Sequence, residues 1–151
     1  MLGKAIAIAS AVHVNQRDKG GKAYIMHPIR VMMRLRTDDE ELMQIAVLHD
    51  VVEDSKGIWT IEKLKAEGFS ERVTSALELL THDHRMSYEE YVKRIAVSRD
   101  AARIKLEDLR DNSDITRLKG LRPKDFERME KYHRAYLFLQ KTLEAMGECG
   151  Y

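Results

Sequence analysis

The segment LMQIAVLHDVVED, residues 42–54, decides the fold. Its apolar residues recur at the spacing of a helix that buries one face. Acidic residues at 38–41 come just before it, and negative charge there favours a helix start because it stabilises the N-terminal end of the helix dipole. We therefore predict one continuous helix that begins at the acidic residues and runs through Asp54.

Four polar side chains lie at the end of this apolar helix: His49, Asp50, Glu53 and Asp54. Residues four apart share a helix face, so we expect His49 to lie over Glu53 and Asp50 over Asp54. An imidazole and three carboxylates beside an apolar core destabilise the fold unless they have a partner. Together they form a ligand set for Mn, Fe, Co or Zn rather than for Ca alone, so the helix predicts one wall of a divalent metal site.

Two distant positions supply further donors of the same kind. His27 precedes Pro28 at a predicted junction of loop and helix, and Asp108 follows an apolar stretch. Asp108 and Asn112 are four residues apart and therefore share one helix face. A buried acid and amide on one face require a partner, which a shared metal ion would provide.

The remainder of the chain indicates more helices and no strand. One helix is expected at roughly Leu2–Gln16, before the paired glycines at 20 and 21. Other helix starts are marked by a proline in the first turn or by a capping side chain: Pro28, Thr60, Ser70, Ser87, Asp100 and Pro123. No segment alternates apolar and polar residues as a half-buried strand does. We predict an all-α, compact multi-helix bundle that forms a single domain over residues 1–151.

Composition narrows the classes of function. The chain has 26 basic and 25 acidic residues, a net charge of +1 and no basic run, so we do not expect it to bind long nucleic acid. Cys149 is the only cysteine, which excludes a disulfide framework and a cysteine zinc site and indicates a reducing compartment. The first apolar run is too short and too polar for a signal or membrane segment. We expect a cytoplasmic protein without membrane contact, and its oligomeric state stays open.

Successive blocks of the chain resemble the hydrolase domain of RelA/SpoT-type enzymes, within the HD superfamily of metal phosphohydrolases. The blocks are residues 11–16 (AVHVNQ), 18–28 (DKGGKAYIMHP), 48–54 (LHDVVED), 80–81 (LT) and 105–112 (KLEDLRDN). The resemblance implies an HD-domain bundle that uses manganese to remove the 3′-pyrophosphate of a small nucleotide, guanosine 3′,5′-bis(diphosphate) (ppGpp). Because the length allows only the hydrolase half of such an enzyme, it also implies a stand-alone small alarmone hydrolase.

The resemblance assigns roles to individual residues. Four positions match the metal ligands of the family: His27, His49, Asp50 and Asp108. Two match its catalytic acidic pair: Glu53 and Asp54. Three match positions that contact nucleotide or organise the site: Lys19, Tyr24 and Asn112.

The chain departs from the family pattern at two places. Asp18 stands where the family commonly has arginine, which removes a guanidinium that would hold the nucleotide. Asp111 stands where the family commonly has histidine, and the arginine of that block moves to position 110. Neither departure alters the residues that match the metal ligands and the catalytic acidic pair of the family. The departures therefore bear on which base is recognised more than on the class of reaction.

Two alternatives remain open at this stage. The first is an HD phosphohydrolase that acts on another nucleotide, such as NADPH or a nucleoside phosphate. The second is a sensor that binds metal and nucleotide without turnover, although intact Glu53 and Asp54 argue against it. The remaining histidines are interpreted as structural or surface residues: His13, His82, His84 and His133.

Overall fold

The computed structural model describes residues 1–147, so Cys149 lies outside the described residues. Helices joined by short turns make up this part of the chain, and the all-α prediction is confirmed. The α-helices are α1 (Leu2–Val12), α2 (Met26–Arg34), α3 (Glu40–Leu48), α4 (Val51–Asp54), α5 (Ile61–Ala66), α6 (Glu71–Leu80), α7 (Tyr88–Ile95), α8 (Arg99–Asn112) and α9 (Pro123–Ala145). A 3-10 helix, Ile115–Arg117, joins α8 to α9. Within residues 1–147, β pairing is limited to one isolated bridge between Arg17 and Ala23.

Helix α3 lies at the centre of the bundle and packs against α1, α2, α6 and α8. Its residues 44–48 are all buried, so this part of α3 is enclosed on every side and not on the one face that the apolar spacing predicts. Asp39 caps its N-terminus, because the Asp39 carboxylate accepts hydrogen bonds from the backbone amides of Glu41 and Leu42 at 3.1 Å. The segment that follows α3 is therefore held in a fixed position by a packed core.

The prediction of one continuous helix through Asp54 is wrong at its end. Helix α3 stops at Leu48, and His49 and Asp50 form a turn before the short helix α4. Asp50 has φ −103° and ψ −2°, outside regular helix geometry. On a regular helix, consecutive side chains point about 100° apart. The turn instead lets His49 Nε2 and Asp50 Oδ2 approach to 3.1 Å.

Most predicted helix starts are confirmed, and one is wrong. Side chains cap α5, α6 and α7 as predicted, and α9 begins at its proline. Helix α8, however, begins at Arg99 with Ser98 as its cap, whose hydroxyl accepts from the Ala101 amide at 3.2 Å. Asp100 lies inside the first turn, where it accepts a 2.7 Å hydrogen bond from Arg72. Asp100 therefore pairs with Arg72 from inside the helix, and Ser98 supplies the cap.

Helices α2, α8 and α9 complete the surroundings of the central turn. Helix α8 packs against α2, α3 and α9. Helix α2 begins at Met26, so Pro28 lies in its first turn as predicted. None of the helices in residues 1–147 combines the length and apolar character needed to cross a membrane.

Candidate metal centre and active site

Four side chains that the sequence singles out converge at one point: His27 from α2, His49 and Asp50 from the turn, and Asp108 from α8. The two imidazole Nε2 atoms are 3.2 Å apart, and Asp50 Oδ2 lies 3.1 Å from His49 Nε2 and 3.6 Å from His27 Nε2. Asp108 Oδ1 lies 2.9 Å from His27 Nε2 and 3.5 Å from His49 Nε2. Ligands bound to one ion at about 2.1 Å and at right angles lie about 3.0 Å apart. The four donor atoms are therefore spaced as the ligands of one divalent cation would be.

Three of these residues form one group in which all the ligand atoms are mutually close. One ligand atom from each of His27, His49 and Asp50 lies within 4.8 Å of the other two. Asp108 falls outside that group of three, yet its Oδ1 is close to both imidazole nitrogens. We include Asp108 among the candidate ligands because a ligand has to lie close to the ion, not to every other ligand. Two ligands on opposite sides of an ion can be far apart.

Both imidazoles are oriented by a partner on the far side of the ring. His49 Nδ1 lies 2.6 Å from the backbone oxygen of Ala46, and His27 Nδ1 lies 2.6 Å from Asp111 Oδ2. Each acceptor requires a proton on Nδ1, which leaves the Nε2 lone pairs facing each other. Two lone pairs and two carboxylate oxygens at this distance repel one another unless a positive charge lies between them. The chemistry of the donor set thus fits a divalent metal ion.

The shifts in pKa show that this cluster of four donors is electronegative. We call the cluster of His27, His49, Asp50 and Asp108 the cage. Burial lowers the pKa of the His49 imidazole, but the charge of Asp50 and a hydrogen bond to Asp108 outweigh it, so the pKa lies well above its usual value. Burial raises the pKa of Asp50, but the charge of His49, a hydrogen bond from His49 and the charge of His27 together lower it by more. The cage therefore attracts positive charge. Because a metal ligand must be deprotonated, protons and a metal ion compete for it.

Three further side chains hold the acidic ligands in place. The Tyr24 hydroxyl donates to Asp50 Oδ2 at 2.5 Å, and Asn112 Nδ2 donates to Asp108 Oδ1 at 2.8 Å. Lys105 Nζ donates to the other oxygen of Asp108 at 2.6 Å. Such partners fix the rotamer of a metal ligand and tune its basicity.

The predicted acidic pair lies on α4, one turn beyond the cage. Glu53 Oε1 accepts a 2.5 Å hydrogen bond from the backbone amide of His82, and Asp54 Oδ2 accepts a 3.0 Å hydrogen bond from Gln16. Burial raises the pKa of both acids, and the charge of Asp50 adds to the rise. Both carboxyls are thus suited to exchanging a proton closer to neutral pH than free acids do.

His13, interpreted from sequence as structural or surface, is buried next to this pair. Its Nδ1 lies 2.7 Å from Gln16 Oε1, and the amide of Gln16 in turn holds Asp54. His13 thus orients an acid of the site without touching the cage. The residue spacing gave no sign of this contact, since α1 and α4 are joined only by the tertiary fold.

A cavity of about 290 Å³ opens beside the cage. Its walls include Lys19, Tyr24, Asn112, Arg117, Arg128 and Tyr132. Burial lowers the pKa of Lys19, and repulsion from Arg128 lowers it further. The three residues predicted to contact nucleotide or organise the site all line this cavity. Nothing in the sequence indicated Arg128 and Tyr132, because their place depends on how α9 crosses α8.

Asp111 is a residue of the candidate site that the sequence pattern does not identify. It was counted as the loss of a histidine, yet its carboxylate is completely buried and accepts from His27 Nδ1 and from Arg30 Nε at 2.8 Å. A signal existed, since Ile104, Asp108 and Asp111 follow the spacing of one buried helix face.

Two curated relatives resemble the chain in sequence. A guanosine-3′,5′-bis(diphosphate) 3′-pyrophosphohydrolase of Aquifex aeolicus is 34% identical over 118 residues, which cover 74% of this chain and 16% of the relative. A probable enzyme of the same name from Synechocystis sp. is 39% identical over 80 residues, covering 52% of this chain and 10% of the relative. The chain thus spans less than a fifth of the length of these relatives. No family model matches it.

A solved structure shares the fold across nearly the whole chain. It is described as a metazoan ortholog of SpoT that hydrolyzes ppGpp, and the two superimpose with a TM-score of 0.74 at 22% identity. The match covers 95% of this chain and 92% of the other. The motif blocks, the named relatives and the shared fold agree in supporting an HD-type domain of the RelA/SpoT kind.

Proposed function

We propose that this domain is a metal-dependent hydrolase that removes the 3′-pyrophosphate from ppGpp. The observation that carries the proposal is the convergence of two imidazoles and two carboxylates, from three separate segments, at one cation-sized point. Relatives that bear the name of this activity, and a structural neighbour said to hydrolyze ppGpp, support the choice of substrate.

The proposed metal ligands are His27, His49, Asp50 and Asp108, and the proposed ion is Mn²⁺. A divalent ion held there would lower the pKa of a bound water toward neutrality and would polarise a phosphate oxygen. The ligand geometry alone accepts several ions, so the choice of manganese rests on the resemblance.

Glu53 and Asp54 are proposed to orient the attacking water and to take up its proton. Both carboxyls have raised pKa values and lie one turn beyond the metal ligand Asp50. A base of this kind is most effective when its pKa approaches the working pH. Their presence also separates an enzyme from a sensor, which would need no such pair.

The cavity is proposed to receive the nucleotide. Lys19, Arg117 and Arg128 line it and would offset the charge of the phosphates, while the rings of Tyr24 and Tyr132 offer faces for a base or sugar. Tyr24 and Asn112 both line the cavity and donate hydrogen bonds to the proposed metal ligands. They would therefore couple the position of the substrate to the geometry of the metal site.

A panel of nucleotides with Mn²⁺ tests the proposal. We expect pyrophosphate from ppGpp, and no product from Asp50→Asn, which keeps the shape of the side chain but loses its charge. Release of orthophosphate from NADPH, with ppGpp unchanged, would show that NADPH and not ppGpp is the substrate. Saturable binding of ppGpp without any product would instead support the sensor.

The properties of the protein as a whole are also part of the proposal. Activity of this domain on its own, a single domain over residues 1–151 and a cytoplasmic location remain predictions from the sequence. Turnover by the isolated 151-residue chain in the same assay would support the first of these.

A further inference from the structure

Arg117 binds both residues that depart from the family pattern. Its Nη1 donates to Asp111 Oδ2 at 2.9 Å and to the Asp111 backbone oxygen at 2.7 Å. Its Nη2 donates to Asp18 Oδ2 at 3.2 Å. The two aspartates are 93 positions apart in the chain, yet one guanidinium bridges them. Such a planar fork suits two carboxylates at once.

On one side, the bridge ends at Asp111, which contacts the proposed metal ligand His27. Asp111 Oδ2, which accepts from Arg117, also lies 2.6 Å from His27 Nδ1. The other oxygen of Asp111 accepts from Arg30. The carboxylate is completely buried, so its orientation is set by these partners rather than by water. A displacement of Arg117 would therefore change the position and basicity of the His27 ring.

On the other side, the bridge ends at the loop that lines the cavity. Asp18 Oδ1 accepts from the backbone amides of Gly20 and Lys22, both at 2.9 Å, which closes the loop around the side chain. The backbone of Gly20 also packs directly on Arg117: a Cβ at this position would lie 2.1 Å from the Arg117 carbonyl oxygen. The loop therefore lies on Arg117 through both a side chain and the backbone.

We propose that Arg117 is a positioning residue that couples the cavity loop, residues 18–24, to the metal ligand His27. The inference rests on the metal site of the proposed function, and it adds a role for the two departures that the sequence pattern left without one. Asp18 does not contribute a missing nucleotide contact. It holds Arg117, and Asp111 passes the constraint to the imidazole. By linkage, metal binding then stabilises the loop, and a stabilised loop favours metal binding.

Asp18→Asn is the sharpest test of this coupling. The asparagine oxygen can still accept from the Gly20 and Lys22 amides, whereas its NH₂ group faces the Arg117 guanidinium and cannot accept from it. We expect Mn²⁺ affinity, measured from the EPR signal of free Mn²⁺, to fall about threefold or more, below the 10–100-fold loss typical of a direct partner of a metal ligand. The matched control is Asp100→Asn, which breaks an Asp–Arg contact with Arg72 elsewhere and should leave the affinity unchanged.

A second variant shows whether the effect passes through Arg117. In an Arg117→Gln background, Asp18→Asn should reduce Mn²⁺ affinity no further, because the path is already broken. Hydrogen exchange of the Gly20 and Lys22 amides, which donate to Asp18, should slow on Mn²⁺ addition in the original chain and not in Arg117→Gln. If Arg117→Gln does not fold, Arg117→Lys replaces it, since a lysine cannot serve both carboxylates as the fork does.

Several results would overturn the coupling. Wild-type affinity in Asp18→Asn, or reductions in affinity that multiply in the double variant, would each exclude it. Neither measurement uses a nucleotide, so these results leave the proposed hydrolase activity standing. Absence of Mn²⁺ binding to the unsubstituted chain would overturn both proposals.

Discussion

Tyr24 has two neighbours that suggest different tasks. Its hydroxyl donates to Asp50, and its ring lines the cavity. Tyr24→Phe keeps the ring and removes the donor, so we expect Mn²⁺ affinity or kcat to fall about tenfold or more, with little change in KM. The control is Tyr88→Phe, because the buried Tyr88 hydroxyl has no hydrogen-bond partner within residues 1–147. A KM effect alone, with kcat and metal affinity intact, would make Tyr24 purely a substrate contact.

Glu53 and Asp54 predict a pH dependence. Burial raises the pKa of each above the ordinary 4.5 and 3.8, so each carboxyl takes up a proton at a higher pH than a free acid does. A base must be deprotonated to act, and kcat should therefore fall as the pH drops, beginning above pH 4.5. The profile is measured with saturating Mn²⁺, because protons also compete for the metal ligands. An acid limb that stays where it is in Glu53→Gln and Asp54→Asn would assign it to another group.

The individual ligands could be predicted from sequence, and their partners could not. His49 and Asp50 stand out because polar groups in an apolar segment need a use. Asp111 and His13 do not stand out, since each acts through a residue that only the tertiary fold brings near it. The contact of Asp18 with Arg117 does not stand out for the same reason, since the two residues are 99 positions apart.

Asp39 offers a stability prediction at the level of one helix. It caps α3 and also accepts hydrogen bonds from Arg72, and the latter lower its pKa against the opposing effect of burial. Asp39→Ala should reduce the free energy of unfolding by about 1 kcal/mol near neutral pH. Because the pKa in the folded state is lowered, this contribution is present above about pH 3.8 and is lost as the pH falls through the folded value.

Denaturant unfolding at several pH values measures the Asp39 contribution. The difference between Asp39→Ala and the original chain should narrow in acid. Asp38→Ala, one residue before the cap, is the control and should change stability little. A gap that is constant across the whole pH range would show that the charge of Asp39 plays no part.

Gly20 predicts a steric effect at the loop. A methyl group there would meet the Arg117 carbonyl oxygen, a backbone atom that cannot turn away. We expect Gly20→Ala to lower the free energy of unfolding by about 1–3 kcal/mol. Gly3→Ala is the matched control, since a Cβ on Gly3 in α1 has no neighbour within 4 Å and alanine favours helix. Equal stability of the two variants would show that the loop does not rest on Arg117.

Helix starts were easier to predict than the functional turn. A capping side chain is a local signal, so the starts of α5, α6 and α7 follow from the sequence. The end of α3 at Leu48 gives no such signal, because no glycine or proline follows it and the apolar spacing continues through Val52. The break depends on the convergence of side chains from α2 and α8, which a local pattern does not contain.

Removal of the metal ion should separate activity from folding across the molecule. The apolar core around α3, α6 and α8 does not include the cage, so excess chelator should abolish turnover while the helical circular dichroism remains. An ion that binds only the folded state stabilises it by about 2.7 kcal/mol at a hundred times its Kd. Tm should therefore rise with Mn²⁺ concentration, and not in Asp108→Asn. Hydrolysis that persists in excess chelator would contradict the metal assignment.

The cage draws its donors from three parts of the chain, and the two histidines alone are 22 residues apart. An unfolded polypeptide would have to close long loops before it could present them to one cation, which entropy opposes. Metallation should thus follow folding instead of guiding it, and the preformed pocket would accept whichever suitable cation its surroundings supply. The occupant after biosynthesis would then reflect the cellular pool of transition metals as much as the protein itself.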